Sequence, residues 1–360
     1  MNKTLKTLIL ICTIYVATCM IISPTTCILA AQNAVNICLD IVIPSLFPFF
    51  VCSGVCIAMG LAQQAGRFLS PLMRPVFGVS GGGAVAFVLG IVSGYPVGAN
   101  CIADLYKRGE VNKIEAERLL AFCNNSGPLF ILGAVGVGMF ANPQIGVWLY
   151  VSHILSALIV GMIFKHYKND KEIEKICLPP IKKTSPIKSV GGVIGKSIES
   201  SIENIFKVCG FVIIFSVCAS TLPHYAGVPY VHSILEITGG IKSLASMNIS
   251  GNFKLSAVSF FIAFSGISVM LQVASIITPC GLSLKPYVLG KFLQGVISCA
   301  ITYLIFTFVP LNQNAFNPDF IWFCPTAWQL LKTALFMCGW CMLAIIIMIV
   351  VAWIYDRYLK

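Results

Sequence analysis

Charge is scarce in this chain of 360 residues: 10% are Asp, Glu, Lys or Arg, against about 25% in soluble domains. A soluble globule needs polar surface, and this sequence has too little to supply it. That excludes a cytosolic enzyme, a secreted disulfide scaffold and a disordered tail. Histidine is scarcer still, with four in the whole chain. No phosphate-binding Walker loop, no Ser-His-Asp order and no paired-histidine metal motif occurs. Catalytic residues, a metal site and a cofactor are therefore all absent from the reading. Ionisable groups are also missing from the apolar runs. Apart from Asp40, Asp104 and Lys207 near predicted ends, no carboxylate or amine lies inside a predicted crossing. An intramembrane proton relay or strong cation site needs such groups.

What is present is apolar: 58% of the residues are hydrophobic, which places the chain in a lipid bilayer. The net charge is +11. Eight lysines (Lys165, Lys168, Lys171, Lys175, Lys182, Lys183, Lys188 and Lys196) sit in one connecting stretch, as a cytoplasmic loop that fixes orientation would have them. Nucleic acid is not an expected partner. Of the 16 cysteines, Cys12, Cys19, Cys52, Cys56, Cys209, Cys218 and Cys299 fall inside apolar runs, where thiols behave as small hydrophobes. Cys338 and Cys341 form a Cys-x-x-Cys on a helix of Leu, Ile and Met, with no second pair to complete a zinc site. Lys3 and Lys6 precede an apolar run from Leu8 to Ile22 with no small-x-small cleavage site, which reads as an uncleaved first helix.

A helix needs about 20 apolar residues to cross the hydrocarbon. Besides the N-terminal helix, Ile41–Ala62, Leu119–Asn142, Pro143–Phe164, Val208–Leu235, Phe292–Pro318 and Thr333–Tyr355 each satisfy that, making about seven crossings. Pro75–Ala103 and Leu255–Leu284 are longer; a straight helix of 30 residues would run about 45 Å. Each has a polar, helix-weakening centre, Ser93-Gly94-Tyr95-Pro96 in one and Ser265-Gly266-Ile267-Ser268 in the other, and each is expected to be a re-entrant hairpin. The positive-inside rule favours the first, because a full crossing would put Lys107, Arg108, Lys113, Arg118 and the 165–196 lysines outside. Three crossings later the second hairpin enters from the opposite face, flanked by Lys242, Lys254, Lys285 and Lys291. An offset of 172 positions superposes Ser93-Gly94 on Ser265-Gly266.

The expected fold is all-α: a polytopic membrane protein with two re-entrant hairpins in an inverted-repeat arrangement, the architecture of secondary transporters. Its expected parts are an N-terminal helix (1–26), a first repeat (27–164), a basic cytoplasmic linker (165–203), a second repeat (204–325) and a C-terminal helix (326–360). Cys27–Ile43, with a polar stripe of Asn33, Asn36 and Asp40, and the short segments Arg67–Arg74 and Val111–Arg118 are expected at the interface. Pro179–Ser189 is the expected boundary between halves.

Asn124-Asn125-Ser126-Gly127-Pro128 carries the strongest signal for a site. Two amides and a hydroxyl in an apolar helix cost several kcal/mol, roughly, if unpaired. Pro128 also frees the carbonyl of Asn124. The segment reads either as unwound backbone offered to a polar solute or as a helix start capped by Ser126. Ser93, Gly94, Tyr95 and Pro96 form the first hairpin tip, whose amides and dipole end would suit a carboxylate. Gly90, Gly94 and Gly98 equally fit close helix packing. Ser265, Gly266, Ser268 and Gln272 are the matching groups of the second half. His153 stands alone in mid-helix and reads as a packing residue.

The runs Pro44-Ser45-Leu46-Phe47-Pro48-Phe49-Phe50, Ser93-Gly94-Tyr95-Pro96-Val97-Gly98-Ala99, Gly109-Glu110 to Glu115-Ala116-Glu117-Arg118 and Phe122-Cys123-Asn124-Asn125-Ser126-Gly127-Pro128 together resemble the YlbJ-type sporulation integral membrane protein family, within the nucleoside-recognition (Gate) superfamily. The resemblance covers most of the chain and is strongest over 40–140. It implies a fold related to concentrative nucleoside transporters, and a place in the outer forespore membrane of an endospore-forming bacterium. There such a protein passes dipicolinate, an anionic aromatic dicarboxylate, toward the spore. By that analogy Ser93–Pro96 and Asn124–Ser126 bind the solute, with a ring slot from Tyr95 or Phe130. No buried arginine is expected to clamp it, so modest affinity and flux down a gradient follow. The alternatives are a nucleoside-type solute, or a non-transporting scaffold for spore assembly. The partners implied are the small anionic solute, the bilayer, and a homo-oligomer or other spore membrane proteins.

Overall fold

The computed structural model describes residues 3–59, 68–168, 190–222 and 228–308. Every regular element among them is helical. α1 (Lys3–Ile22) meets α2 (Pro24–Ile37) at a bend of 109°; Pro24 cannot extend the hydrogen-bond ladder of α1 but suits a first helical turn. A π turn, Cys38–Val42, leads into α3 (Ile43–Ala58). Then come α4 (Gly83–Val92), α5 (Val97–Lys107), α6 (Lys113–Cys123), the π-wound α7 (Leu129–Met139) and α8 (Pro143–Phe164). Asn112 and Glu115 close a capping box at the start of α6, and Asn142 caps α8 ahead of Pro143. The remainder is α9 (Val190–Ser220), α10 (Val228–Leu235), α11 (Ile237–Ala245), α12 (Gly251–Phe264), α13 (Gly266–Ile277) and α14 (Lys285–Phe308).

Among the described residues, Pro143–Phe164, Val190–Ser220, Gly251–Cys280 and Lys285–Phe308 are long and apolar enough to cross a membrane, and the bent α1–α2 pair makes a fifth. The first matches its expected limits. Leu119–Asn142 is divided between α6 and α7, and Ile41–Ala62 yields the 16-residue α3. Val208–Leu235 is divided too: α9 ends at Ser220 and α10 is separate. α9 starts at Val190, so the part of the expected 165–203 linker from residue 190 onward is helical. α14 starts seven residues ahead of the expected Phe292. Thr333–Tyr355, Cys338, Cys341 and Pro179–Ser189 lie outside the described residues.

The two long windows part company. α4 and α5 pack side by side, joined by Ser93–Pro96, so the chain folds back there. The second does not fold back. Gly251–Cys280 is one span of 30 residues interrupted at Ser265, and α12 and α13 do not pack on each other. Ser265 and Gly266, with φ of 71° and 74°, break the ladder without reversing the chain. The expected hairpin over 255–284, and with it the 172-position correspondence, is therefore corrected. So is its orientation. The Ser283 amide donates to Glu117 Oε1 at 3.2 Å, which returns the chain to the end of the bundle carrying Arg118 and Lys168. Lys285 belongs to that end, and Lys291 is no flank at all but lies fully buried within α14.

A different pair of features corresponds. The junction of the α4–α5 hairpin lies against the interruption between α6 and α7. The junction of α10 and α11, which pack on each other, lies against the interruption between α12 and α13: Ser233 and Ile234 carbonyls are 3.3 Å from where a Cβ on Gly266 would stand. Val111–Arg118, expected at the interface, is instead interior, with Glu117 and Arg118 almost wholly buried. The stripe of Asn33, Asn36 and Asp40 is exposed, while Ala34 and Cys38 on the other side pack with Ile205, Val208 and Val212 of α9.

Candidate functional site

Asn124–Gly127 is not helical. Ser126 does not cap the following helix; its hydroxyl donates instead to the Ile262 carbonyl of α12 at 3.1 Å. Asn124, Asn125 and Ser126 are nevertheless fully buried. Their polar groups must be met by protein, and the three elements around them do so. Asn124 Oδ1 accepts from the Ala99 amide at 3.2 Å, and its Nδ2 donates to the Tyr287 hydroxyl at 3.3 Å. The Tyr95 amide donates to the Asn125 carbonyl at 2.7 Å. The glycine series of the hairpin makes this approach feasible: a Cβ at Gly90 would stand 1.5 Å from the Cys123 oxygen, one at Gly94 2.6 Å from the Gly127 nitrogen, and one at Gly98 2.5 Å from the Cys123 oxygen. Close packing and the candidate site are thus one feature. At the tip, the Ala99 amide in the first turn of α5 is taken by Asn124 Oδ1.

Asn125 anchors a second layer. Its Nδ2 donates to the Phe122 carbonyl at 2.7 Å. Its Oδ1 accepts from Gln294 Nε2 at 3.0 Å and lies 3.5 Å from Lys291 Nζ. Lys291 Nζ donates to Gln294 Oε1 at 2.6 Å, and Gln294 Nε2 also reaches the His153 carbonyl at 3.2 Å. Gly290 lets α14 come this near; a Cβ there would meet the Ala121 oxygen at 2.5 Å. The Ser126 amide donates to His153 Nε2 at 3.2 Å. His153 is therefore tied to the site rather than standing alone.

Ser265, Ser268 and Gln272 are buried in the second broken span. Ser265 follows Ile262, the acceptor for Ser126, by less than one turn, so the two interruptions meet. Ser268 Oγ, Gln272 Oε1 and His153 Nδ1 are buried atoms with no hydrogen-bond partner, and such atoms call for a solute, ion or water. α13, which carries the first two, packs against α5 and α9. Between α3, α5 and α9 lies a cavity of about 340 Å³ lined by Asn100, Asp104, Arg108, Ser200, Glu203 and Lys207.

The sequence reading missed Lys291, Gln294 and Tyr287. The polar residues Tyr287, Lys291, Gln294 and Ser298 follow one another at helical spacing and are all fully buried, a pattern visible once α14 is started at Lys285. A buried arginine also exists. Arg118 gives its donors to the carbonyls of Gly78, Tyr167 and Lys168 at 2.5, 3.0 and 2.7 Å, so it ties the basic end together and takes no part in the site. Beside it Lys168 Nζ donates to Glu117 Oε2 at 2.8 Å. That hydrogen bond holds the Lys168 ammonium above its ordinary pKa.

A family model described as nucleoside recognition (Gate) matches residues 39–281. The sporulation integral membrane protein YlbJ of Bacillus subtilis (strain 168) is 31% identical over 357 residues, covering 84% of this chain and 85% of that protein. No solved structure matches the chain significantly.

Proposed function

This chain belongs to the nucleoside-recognition (Gate) family, and from that premise we propose that it is a membrane transporter passing a small polar solute through the interruption at Asn124–Gly127. The observation that carries this is the buried meeting of two broken helices, one over 113–139 and one over 251–277, each with a helical junction lodged against its break. Irregular backbone at that depth is tolerated where it is buried in protein or lines a watery cavity, and paired broken helices are where transporters hold their solutes. In this reading the two units are inverted copies. α6 starts at the end that holds Arg118 and Lys168, whereas α12 starts at the end where Asn252 donates to the Phe306 carbonyl. The earlier division, with repeats over 27–164 and 204–325, stands as the proposed domain plan.

Ser93, Tyr95, Asn124, Asn125, Ser126, Ser265, Ser268 and Gln272 are the proposed solute-binding set, with Gly94, Pro96 and Gly266 shaping it. The resemblance to a sporulation protein supports dipicolinate as the solute, the outer forespore membrane as the location and a cytoplasmic 165–196 loop. The family's description, nucleoside recognition, supports a nucleoside as the second reading. Liposomes containing only this protein distinguish them: the proposal expects uptake of dipicolinate exceeding that of uridine. Uptake of uridine alone would make the second reading the correct one. Failure to carry either solute under every imposed ion gradient would contradict transport and leave a scaffold.

A further inference from the structure

Lys291 is a fully buried lysine in an apolar span of 24 residues, and its hydrogen-bond partners are neutral amides. Gln294 Oε1 and Asn125 Oδ1 accept from it, and no salt bridge to it is formed among the described residues. An ammonium in such surroundings lacks the counter-charge that groups of this kind ordinarily have. The elements packed on α14 are α6, α8 and α12. The titratable groups they bring near are the Cys123 thiol and the His153 imidazole, joined by Tyr287 of α14 itself; Lys254 of α12 sits at the far end, donating to the Ala245 carbonyl. None of these is a carboxylate; Glu117 of α6 is held at the basic end, where it accepts from the Ser283 amide and Lys168 Nζ.

His153 adds an independent observation. Its Nε2 accepts the Ser126 amide, so in the neutral ring the proton is on Nδ1. That N–H is buried and has no acceptor. A cation short of an anion and a donor short of an acceptor are thus both fastened to adjacent residues of the same unwound segment, Asn125 and Ser126. One ligand chemistry answers both.

We propose that Lys291, assisted by the His153 Nδ1–H, is the charge partner of the solute, and that the site at Asn125–Ser126 takes a carboxylate anion. This rests on the transporter reading and deepens it by assigning the group that recognises an anionic solute. It follows that a neutral solute of the same shape is bound less well, because it leaves the ammonium uncompensated.

The test is binding by the full chain in detergent, read as the shift in melting temperature with dipicolinate or with its neutral diamide, pyridine-2,6-dicarboxamide. Wild type is expected to prefer the dianion. Lys291→Gln is expected to weaken dianion binding by at least about tenfold, as loss of a charge-assisted contact should, and to leave diamide binding within about twofold. Lys291→Arg is expected to keep the preference. Should Lys291→Gln fail to fold, Lys291→Met supplies the same comparison with the stem volume filled. Because it removes an uncompensated buried amine, its unliganded melting temperature should equal or exceed that of wild type. Equal losses for both ligands, no loss for either, or no dianion binding by wild type would each overturn the proposal. Flux failure in liposomes alongside Lys291-dependent binding would instead refute transport and leave the carboxylate site standing.

Discussion

Gly90 and Asn124 set how near the first hairpin can come to the unwound segment. Gly90→Ala places a methyl 1.5 Å from the Cys123 oxygen, so backbone must move. The expected loss is at least about 1–3 kcal/mol of stability, readable as a lowered melting temperature and as lost solute flux. Asn124→Ala orphans the Ala99 amide and the Tyr287 hydroxyl, and each buried orphan costs about 1–3 kcal/mol. Asn124→Asp would restore the acceptor for Ala99 but not the donor for Tyr287, and should be intermediate in a thermal melt. Both asparagines were legible in the sequence as polar residues too costly to bury without a reason. Lys291 was not, and the cause is physical bookkeeping of spans: when a charge-free run defines a crossing, any interior charge becomes its boundary. The polar face of α14, running on through Gln294 and Ser298, is what contradicts that boundary.

At the scale of elements, the two long apolar windows look alike in composition and differ in how much backbone is released from the helix. Four residues, Ser93 to Pro96, separate α4 from α5, enough to reverse direction. Ser265 alone separates α12 from α13, enough only to interrupt. The sequence marked both breaks correctly, but periodicity carries no information on the angle between the helices that flank them. The interruption itself is testable. Ser265 holds φ of 71°, where a side chain is strained, so Ser265→Gly should stabilise the protein by about 1 kcal/mol, whereas Gly266→Ala, at φ 74°, should destabilise it by about 1–2 kcal/mol. A thermal melt of the two variants checks the signs. If both were neutral, the break would not have the left-handed backbone described.

For the molecule as a whole, the consequence is an orientation opposite to the one charge counting suggested for the second half. Ser283 bonded to Glu117 brings the start of α14 to the basic end, so cysteines placed at Lys113 and Lys285 should label from one side of the membrane and a cysteine at Ser250 from the other. Labelling of Lys113 and Lys285 positions from opposite sides would contradict the bundle. That basic end should also be insensitive to pH near neutrality. The Lys168 ammonium is held above its ordinary value by Glu117. The contribution of this pair is therefore fully present below the ordinary lysine range and lost only as pH rises through the raised value. Melting curves of wild type and Glu117→Gln should accordingly differ by a constant amount from pH 6 to 9, roughly, and converge in stronger alkali.

The central claim is the proposal that a solute passes through the buried Asn124–Gly127 segment, which requires that segment to be reachable from each side of the membrane. The direct measurement is the reaction of a single cysteine at Ser126, in a background with the 16 native cysteines replaced, with a small water-soluble thiol reagent applied from either face. The account predicts reaction from both faces, slowed by dipicolinate. A residue 126 that reacts from neither face, with or without solute, would contradict it.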